Sequence, residues 1–515
     1  MIASMNSPLS SSTLAQALQA LGAGRLDQIR RGLEKESLRA TLSGALAMTP
    51  HPRTLGSALT HPSITTDFSE SQLELITAPH ANAAECIREL NDTHRFVYRA
   101  IGQEMLWVCS MPCDLPADEN IPIGSYGSSH VGRAKSVYRM GLGHRYGRRM
   151  QTICGIHYNW SLPGLSNEDY FGLIRNFRRH SFVLLMLFGA SPAVAASFVA
   201  GRNHPLQPLG LDSFFLPHAT SLRMGRLGYQ SDAQAALNVS YNSLEGYAAS
   251  LHGALTTPHP PYERIGVRNL GGEYNQLATS LLQIENEFYG TIRPKRTIRS
   301  GERPLHALRE RGVEYVEVRC LDLDPFEPVG IAASTLQFLD VFLLHCLLSD
   351  SAPDTPQETA ELARNQQRVA SQGREAGLRL ERSGQDVRAQ DWAAQILQEC
   401  MPIALALDQA QSGNPHVQAL QNATHRLAHM EETPSARALA AMQALPDPSF
   451  LRFGIERSVL ARTQALQEEL SASQMAQWQA QGEASLAEQR RREAADSTDF
   501  EAYRVNYLAP EQLLA

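Results

Sequence analysis

Five separated segments of this 515-residue chain place acids, a histidine or an arginine at every second position. Residues two apart lie on the same face of a strand but on nearly opposite sides of a helix. Such alternation predicts strands that each have one core face and one polar face. The segments are residues 32–39, 64–68 continuing into 72–77, 155–159, 284–289 and 313–321.

Carboxylates gathered on these polar faces would repel one another unless cations neutralised them. Mg²⁺ takes near-octahedral oxygen ligands and keeps water or substrate phosphate in some positions. The pattern therefore predicts two or three divalent ions around a nucleotide. A histidine ligand suits Mn²⁺ better than Mg²⁺, so Mn²⁺ is an alternative ion. We expect Arg319 to contact a phosphoryl group rather than a carboxylate of its own strand.

Each segment also has a simpler interpretation. A single alternating acidic segment is usually a solvated strand face, and a lone histidine such as His157 is more often a satisfied core residue. The basic stretch 293–296 fits a charged loop as well as it fits a phosphate contact. Five alternating segments in one chain nevertheless favour a shared site.

The composition is that of a globular protein with enough apolar material for a core: 43% of residues are hydrophobic and 19% are charged. The net charge of -7 argues against a nucleic-acid binder, which needs a concentrated basic face. The seven cysteines show no spacing typical of a zinc site, and the N-terminus does not have the pattern of a secretory signal. We therefore expect a cytoplasmic protein with reduced thiols.

One uncharged stretch, residues 181–201, has about the length of a membrane span. Gly189 and Pro192 interrupt it, which favours two short core helices joined by a turn. We therefore expect no membrane-spanning segment.

The acidic segments lie on both sides of a middle part, residues 169–255, that is expected to be mainly helical. They can form one site only if the sheet is built from both ends of the first 330 residues. We expect a catalytic sheet-and-helix core over residues 1–350 and a mainly helical part over 351–515, packed on that core. Residues 461–481 contain neither glycine nor proline and are expected to be helical.

These segments, in this order, resemble those of the glutamate–cysteine ligase family of the proteobacterial type. The resemblance covers about residues 25–350. It rests on 31–39, 61–77, 110–113, 155–159, 187–192, 283–296 and 313–330.

The resemblance implies an α+β fold, with a glutamine-synthetase-like antiparallel sheet that forms a funnel and helices around it. It implies that Mg²⁺ is bound by Glu34, Glu36, Asp67, Glu74, His157 and Glu317, and that Arg319 contacts the transferred phosphoryl group. Phe68, Tyr138, Tyr229 and Tyr289 would shape a cysteine pocket, and Arg223 would lie near glutamate.

The implied reaction has two stages. ATP phosphorylates the γ-carboxylate of L-glutamate, and the amino group of L-cysteine then attacks the acyl phosphate. The products are γ-glutamylcysteine, ADP and phosphate. The resemblance implies no nucleic-acid or membrane partner, and we expect a monomer.

Two alternatives remain open. The same fold could join glutamate to another amino acid or amine, although three tyrosines favour a small thiol or methyl side chain over a charged one. The chain could also be a non-enzymatic helical scaffold, as its Gln- and Ala-rich last third would allow, but this leaves the acidic segments unexplained.

Overall fold

The computed structural model describes residues 11–228, 232–235, 237–299, 301–411 and 413–514. The strands are β1 Arg30–Ala40, β2 Ile64–Thr66, β3 Gln72–Ile76, β4 Met105–Leu106, β5 Ile156–Ser161, β6 Ala193–Ala195, β7 Gln207–Leu209, β8 Ser213–Phe215, β9 Ile292–Lys295, β10 Tyr315–Leu321, β11 Arg379–Arg382 and β12 Gln385–Arg388.

The helices alternate with these strands up to β10 and dominate thereafter. They are α1 Ser11–Leu21, α2 Ala23–Leu26, α3 Ala83–Ala100, α4 His130–Tyr146, α5 Arg148–Gln151, α6 Asn167–His180, α7 Phe182–Phe188, α8 Ala196–Val199, α9 Asp232–Ala235, α10 Leu244–Thr256, α11 Pro260–Ile265, α12 Pro304–Arg311, α13 Ala333–Leu348, α14 Pro356–Gln372, α15 Ala389–Gln411, α16 Pro415–Ala428, α17 Pro434–Gln443, α18 Phe450–Gln467, α19 Ala472–Ala495 and α20 Phe500–Leu508.

The main sheet has seven strands in the order β2-β3-β1-β5-β10-β9, with β4 paired to β1. Every pairing in it is antiparallel. Because β5 precedes the middle part of the chain and β10 follows it, their pairing brings the two ends of the first 330 residues together. This is the α+β architecture expected from the sequence.

The two faces of the sheet differ as the alternation predicts. In β10, Val316 and Val318 are fully buried on the back face. In β1, Lys35 also points backwards, and its Nζ lies 2.8 Å from His94 Nε2 on α3. Burial lowers the pKa of Lys35 to about 7. The back face is therefore covered by helix, and the polar face is left for the site.

The middle part is less uniformly helical than expected, since β6, β8 and β7 form a small antiparallel sheet within it. The uncharged stretch contains α7 and α8 with β6 between them, so a strand accompanies the expected break. Among the described residues, no helix combines the length and apolar character needed to cross a bilayer.

The helical stretch expected over residues 461–481 contains a break, because α18 ends at Gln467 and α19 begins at Ala472. Ser471 accepts a hydrogen bond from the Gln474 backbone, and the Gln474 side chain accepts one from the Ser471 backbone. This capping box stabilises a new helix start without glycine or proline.

Helices beyond residue 350 pack directly on the earlier part. Trp478 of α19 stacks on Phe96 of α3, with ring centroids 5.4 Å apart. Gly454 of α18 lies so close to Trp107 that an added Cβ would be 2.1 Å from the indole ring. These contacts cross the boundary expected near residue 350, and the division into two parts stays a prediction.

Candidate active site

The polar faces of four neighbouring strands, β3, β1, β5 and β10, bring the acidic residues and His157 into one place. In the register of the sheet, Glu34 of β1 is opposite His157 of β5, and Glu36 is opposite Glu74 of β3. Glu317 of β10 is opposite Asn159 of β5. Side chains directly opposite on one face of an antiparallel pair are neighbours, so the register alone assembles the cluster.

His157 lies at the centre of these carboxylates. Its Nδ1 is 3.1 Å from Glu34 Oε2 and 3.9 Å from Glu317 Oε1, and its Nε2 is 3.5 Å from Glu36 Oε1. Asn159 donates a hydrogen bond of 2.8 Å to Glu34, and the Gly155 amide donates one of 2.8 Å to Glu36. The carboxylates are thus held in fixed orientations around the imidazole.

Glu317 is the carboxylate best compensated by protein cations. Burial alone raises its pKa, but Lys295, Arg319 and His157 together hold the pKa well below the usual range. Lys295 Nζ lies 3.2 Å from its Oε1, and Arg319 Nη1 lies 3.0 Å from its Oε2. Glu317 is therefore ionised and acts as a fixed anion.

The Arg319 contact differs from the expectation that this guanidinium would avoid a carboxylate of its own strand. Arg319 and Glu317 are two residues apart on one strand face, where long side chains lie side by side. Arg319 Nη1 is also 3.4 Å from His157 Nδ1. A phosphoryl group bound beside these carboxylates would therefore meet this guanidinium.

Protein cations compensate Glu36 and Glu74 less well than Glu317. Burial raises the pKa of Glu36. Burial, followed by the charges of Glu34 and Asp67, raises the pKa of Glu74 well above its usual range. A charged nitrogen, Arg139 Nη2, lies 4.0 Å from Asp67 Oδ1. The protein therefore supplies too few cations for these acids.

This donor set fits hard divalent cations. One ligand atom each from Glu34, Glu74 and His157 can lie within 4.8 Å of one another. The His157 Nε2 is buried and makes no hydrogen bond within the described part of the chain. Carboxylate oxygens with one imidazole suit Mg²⁺ or Mn²⁺, and such ions would remove the excess negative charge.

The acids line a cavity of about 360 Å³. Of the expected substrate-binding aromatic residues, Phe68, Tyr138 and Tyr289 line the same cavity. The hydroxyl of Tyr289 accepts a hydrogen bond of 2.8 Å from Gln151, which fixes the ring at the wall. Tyr229, the fourth aromatic residue, lies outside the described residues.

Arg223 lies behind the cavity wall. It is fully buried, its Nη2 donates a hydrogen bond of 2.9 Å to the Arg319 carbonyl, and its Nη1 is 3.9 Å from Asp322. A Cβ on Gly155 would come within 2.1 Å of Arg223 Nη2, so any larger residue there would displace the Arg223 guanidinium. In this arrangement Arg223 supports β5 and the backbone of β10.

The expected strand at residues 284–289 is wrong, because residues Glu285–Glu287 form a 3₁₀ turn. Glu285 pairs with Arg303 at 2.8 Å, and Glu287 pairs with Arg145 at 2.9 Å. Both carboxylates are buried in these pairs and stabilise the turn. Only four of the five alternating segments therefore belong to the main sheet.

Several residues that the sequence did not single out line the cavity. Lys135 and Arg139 come from α4, and Tyr503 and Tyr507 come from α20, near the end of the chain. The basic stretch 293–296 is not a loop, since β9 ends with Lys295 beside Glu317. Its alternating cations could have been recognised as a strand face, whereas the tyrosines of α20 give no local signal.

Comparisons with known proteins agree with this geometry. The sequence profile described as glutamate-cysteine ligase matches residues 15–369. The chain is 46% identical over 512 residues to the glutamate–cysteine ligase of Alcanivorax borkumensis, over 95% of this chain and 97% of that protein. It is 47% identical over 508 residues to that of Janthinobacterium sp. (strain Marseille), over 95% and 96% of the two chains.

Solved structures give the same result. The glutamate–cysteine ligase of Francisella tularensis, in complex with AMP, matches with a TM-score of 0.89 and 36% identity, over 93% of this chain and 97% of that chain. A bifunctional glutathione synthetase from Pasteurella multocida matches with a TM-score of 0.68 and 27% identity, over 88% of this chain and 55% of that chain. The resemblance found in the sequence is confirmed, and the chain belongs to the glutamate–cysteine ligase family.

Proposed function

We propose that the acidic cavity binds ATP, L-glutamate and L-cysteine and forms γ-glutamylcysteine, ADP and phosphate, the first step of glutathione biosynthesis. The observation that carries this proposal is the cluster of Glu34, Glu36, Glu74 and Glu317 around His157, in a member of the glutamate–cysteine ligase family. The AMP bound by the Francisella tularensis relative supports a nucleotide in this cavity.

We assign the divalent ions, Mg²⁺ or Mn²⁺, to the acidic cluster with Asp67 at its edge. When bound, such ions would neutralise the carboxylates and the charge of the phosphates. Glu317, ionised and held by Lys295, supplies a fixed ligand at one end of the cluster. Glu74, whose pKa is raised well above its usual range, must lose its proton to act as a ligand at the other end.

In the first stage, the protein positions the γ-phosphoryl group and stabilises its charge. Phosphoryl transfer needs positioning and charge stabilisation rather than a protein nucleophile. Arg319, beside Glu317 and His157, is placed to contact the transferred group. Lys135 and Arg139, which also line the cavity, supply further positive charge for the phosphates.

In the second stage, the cavity must hold the cysteine amine at about 3–3.5 Å from the acyl phosphate carbon and exclude water, which would hydrolyse it. Phe68 and Tyr138 are almost fully buried, and they give the cavity an apolar side with Tyr289. We propose that these rings bind the cysteine side chain, with Tyr229 as an additional member.

Tyr289→Ala is expected to raise the KM for cysteine about tenfold, because it removes most of a ring that lines the cavity. Tyr289→Phe is the matched control, since it removes only the hydroxyl that Gln151 contacts. Steady-state kinetics with each of the three substrates varied in turn would measure the change. An increase confined to the KM for ATP would contradict the cysteine assignment.

The direct test of function is phosphate release by the purified protein with Mg²⁺, ATP and glutamate, with the product identified by mass. Cysteine, 2-aminobutyrate and alanine are compared as acceptors. We expect release that depends on cysteine and yields γ-glutamylcysteine.

The other outcomes separate the alternatives. Release with another acceptor only would keep the mechanism and change the acceptor. The scaffold alternative would be favoured if folded protein released no phosphate with any acceptor and if Mg²⁺ with ATP left its melting temperature unchanged. The melting temperature is informative because a ligand that binds the folded state must stabilise that state.

We also propose that the protein is a cytoplasmic monomer without nucleic-acid or membrane partners. The net charge of -7 supports the absence of a nucleic-acid partner. Light scattering of the purified chain would test the oligomeric state, and fractionation of cells would test the location.

A further inference from the structure

A second cluster of metal-ligating side chains lies outside the acidic cavity. It consists of His180 at the end of α6 and of His345 and Cys346 in the last turn of α13. One ligand atom from each can lie within 4.8 Å of the other two. None of the three lines the acidic cavity, so the reaction described above gives them no role.

His345 has the arrangement of a metal-binding histidine. It is 1% exposed, and its Nε2 lies 2.9 Å from Glu399 Oε2 on α15. Since a carboxylate accepts the hydrogen bond, Nε2 carries the proton and Nδ1 carries the lone pair. Metal-binding histidines typically donate their other N–H to a carboxylate in this way.

The Nδ1 atoms of His345 and His180 are both buried, and neither has a hydrogen-bond partner among the described residues. Buried polar atoms usually have a partner, so two unpaired ring nitrogens in one cluster require an explanation. The two rings lie with their centroids 5.5 Å apart. A bound cation would pair both lone pairs at once.

The chemistry of the cluster selects the ion. His180 and His345 supply two imidazole nitrogens. Cys346 is fully buried beside them and adds a sulfur ligand. Two imidazoles and one thiolate suit borderline ions such as Zn²⁺ and do not suit Mg²⁺.

We propose that His180, His345 and Cys346 bind one Zn²⁺ ion, with Glu399 orienting His345. Binding forms two Zn–N bonds and one Zn–S bond and releases the thiol proton of Cys346 to solvent. Two ligand atoms on one zinc ion lie about 3.3–3.8 Å apart, so side-chain shifts of about 1 Å close the site. Three protein ligands leave the fourth position to water.

The ion would connect three helices. His180 lies on α6, which contacts the main sheet, while His345 and Cys346 lie on α13 and Glu399 on α15. Metal binding to the folded state contributes directly to its stability. We therefore assign the site a structural role in holding α13 and α15 to the core.

Co²⁺ titration of the full-length, chelator-treated protein tests the site, because a cobalt–thiolate bond gives a charge-transfer absorption that carboxylate and imidazole ligands do not. Glu34→Gln protein is titrated in parallel to weaken binding in the acidic cavity. We expect one equivalent of Co²⁺ to produce the band in both proteins, and Zn²⁺ to abolish it by displacement.

Cys346→Ser is expected to lose the band, whereas Cys109→Ser, a matched change of another buried cysteine, is expected to keep it. Glu399→Gln is expected to weaken Co²⁺ binding about 10–100-fold, and it tests the site even if Cys346→Ser does not fold. The proposal is overturned if the wild-type protein shows no band, if Cys346→Ser keeps it, or if Glu399→Gln binds Co²⁺ as tightly as the wild type.

Discussion

Glu317→Gln is expected to lower kcat/KM for ligation about 10³-fold, or about 4 kcal/mol of transition-state stabilisation, without unfolding the protein. Glutamine has nearly the same volume but no charge, so the change removes an anion that Lys295 and Arg319 contact directly. It would weaken ion binding and leave the two cations without their shared partner. Glu34→Gln, at the other side of His157, is expected to act in the same way.

Glu314→Gln is the matched control, because Glu314 immediately precedes the same strand and its side chain is exposed. Activity close to wild type is expected for it. Phosphate release and product formation are measured for each variant, with circular dichroism as the check on folding. Wild-type activity in folded Glu317→Gln, or an equal loss in Glu314→Gln, would refute the assignment of Glu317.

Arg31→Met is expected to lower the free energy of unfolding by about 3–5 kcal/mol, because it leaves a buried carboxylate without its cation. Arg31 Nε lies 2.9 Å from Asp340 Oδ2, and both side chains are 1% exposed. Asp340 also accepts a hydrogen bond of 2.6 Å from Tyr158. The pair therefore connects β1, β5 and α13 in the core.

Urea denaturation followed by fluorescence and circular dichroism measures this change. Arg452→Met is the matched control, since Arg452 pairs with Glu456 at 3.1 Å on an exposed helix surface. A change below about 1 kcal/mol is expected there. The double variant Arg31→Met/Asp340→Asn should recover part of the lost free energy of unfolding, because it removes the unpaired charge. The argument would be contradicted if the double variant recovered nothing, or if Arg31→Met lost no more stability than Arg452→Met.

The sequence predicted the strands that follow a strict two-residue alternation. In β1, β5 and β10 the side chains of Glu34, His157 and Glu317 all face the cavity, and the antiparallel register brings them together. The family resemblance added the roles expected of these residues, which remain to be tested by substitution.

The expected strand at residues 284–289 failed because the partners that decide its conformation lie elsewhere in the chain. Glu285 and Glu287 alternate as in a strand, but Arg303 and Arg145 hold them in a turn. The proposed zinc ligands His180 and Cys346 are remote from each other in sequence, so cysteine spacing could not indicate or exclude the proposed site. The break between α18 and α19 is different, since the capping box at Ser471 is a local signal that could have been recognised.

The position of α20 has a consequence for how the enzyme is made. Tyr503 and Tyr507 line the cavity, and the Tyr507 carbonyl accepts a hydrogen bond of 2.8 Å from Arg303. The ribosome covers the most recently added residues of a growing chain, so this wall can be placed only some time after the residues of α20 have been added. A nascent polypeptide that ends before α20 would therefore carry all the acidic strands and still have an open, incomplete cavity.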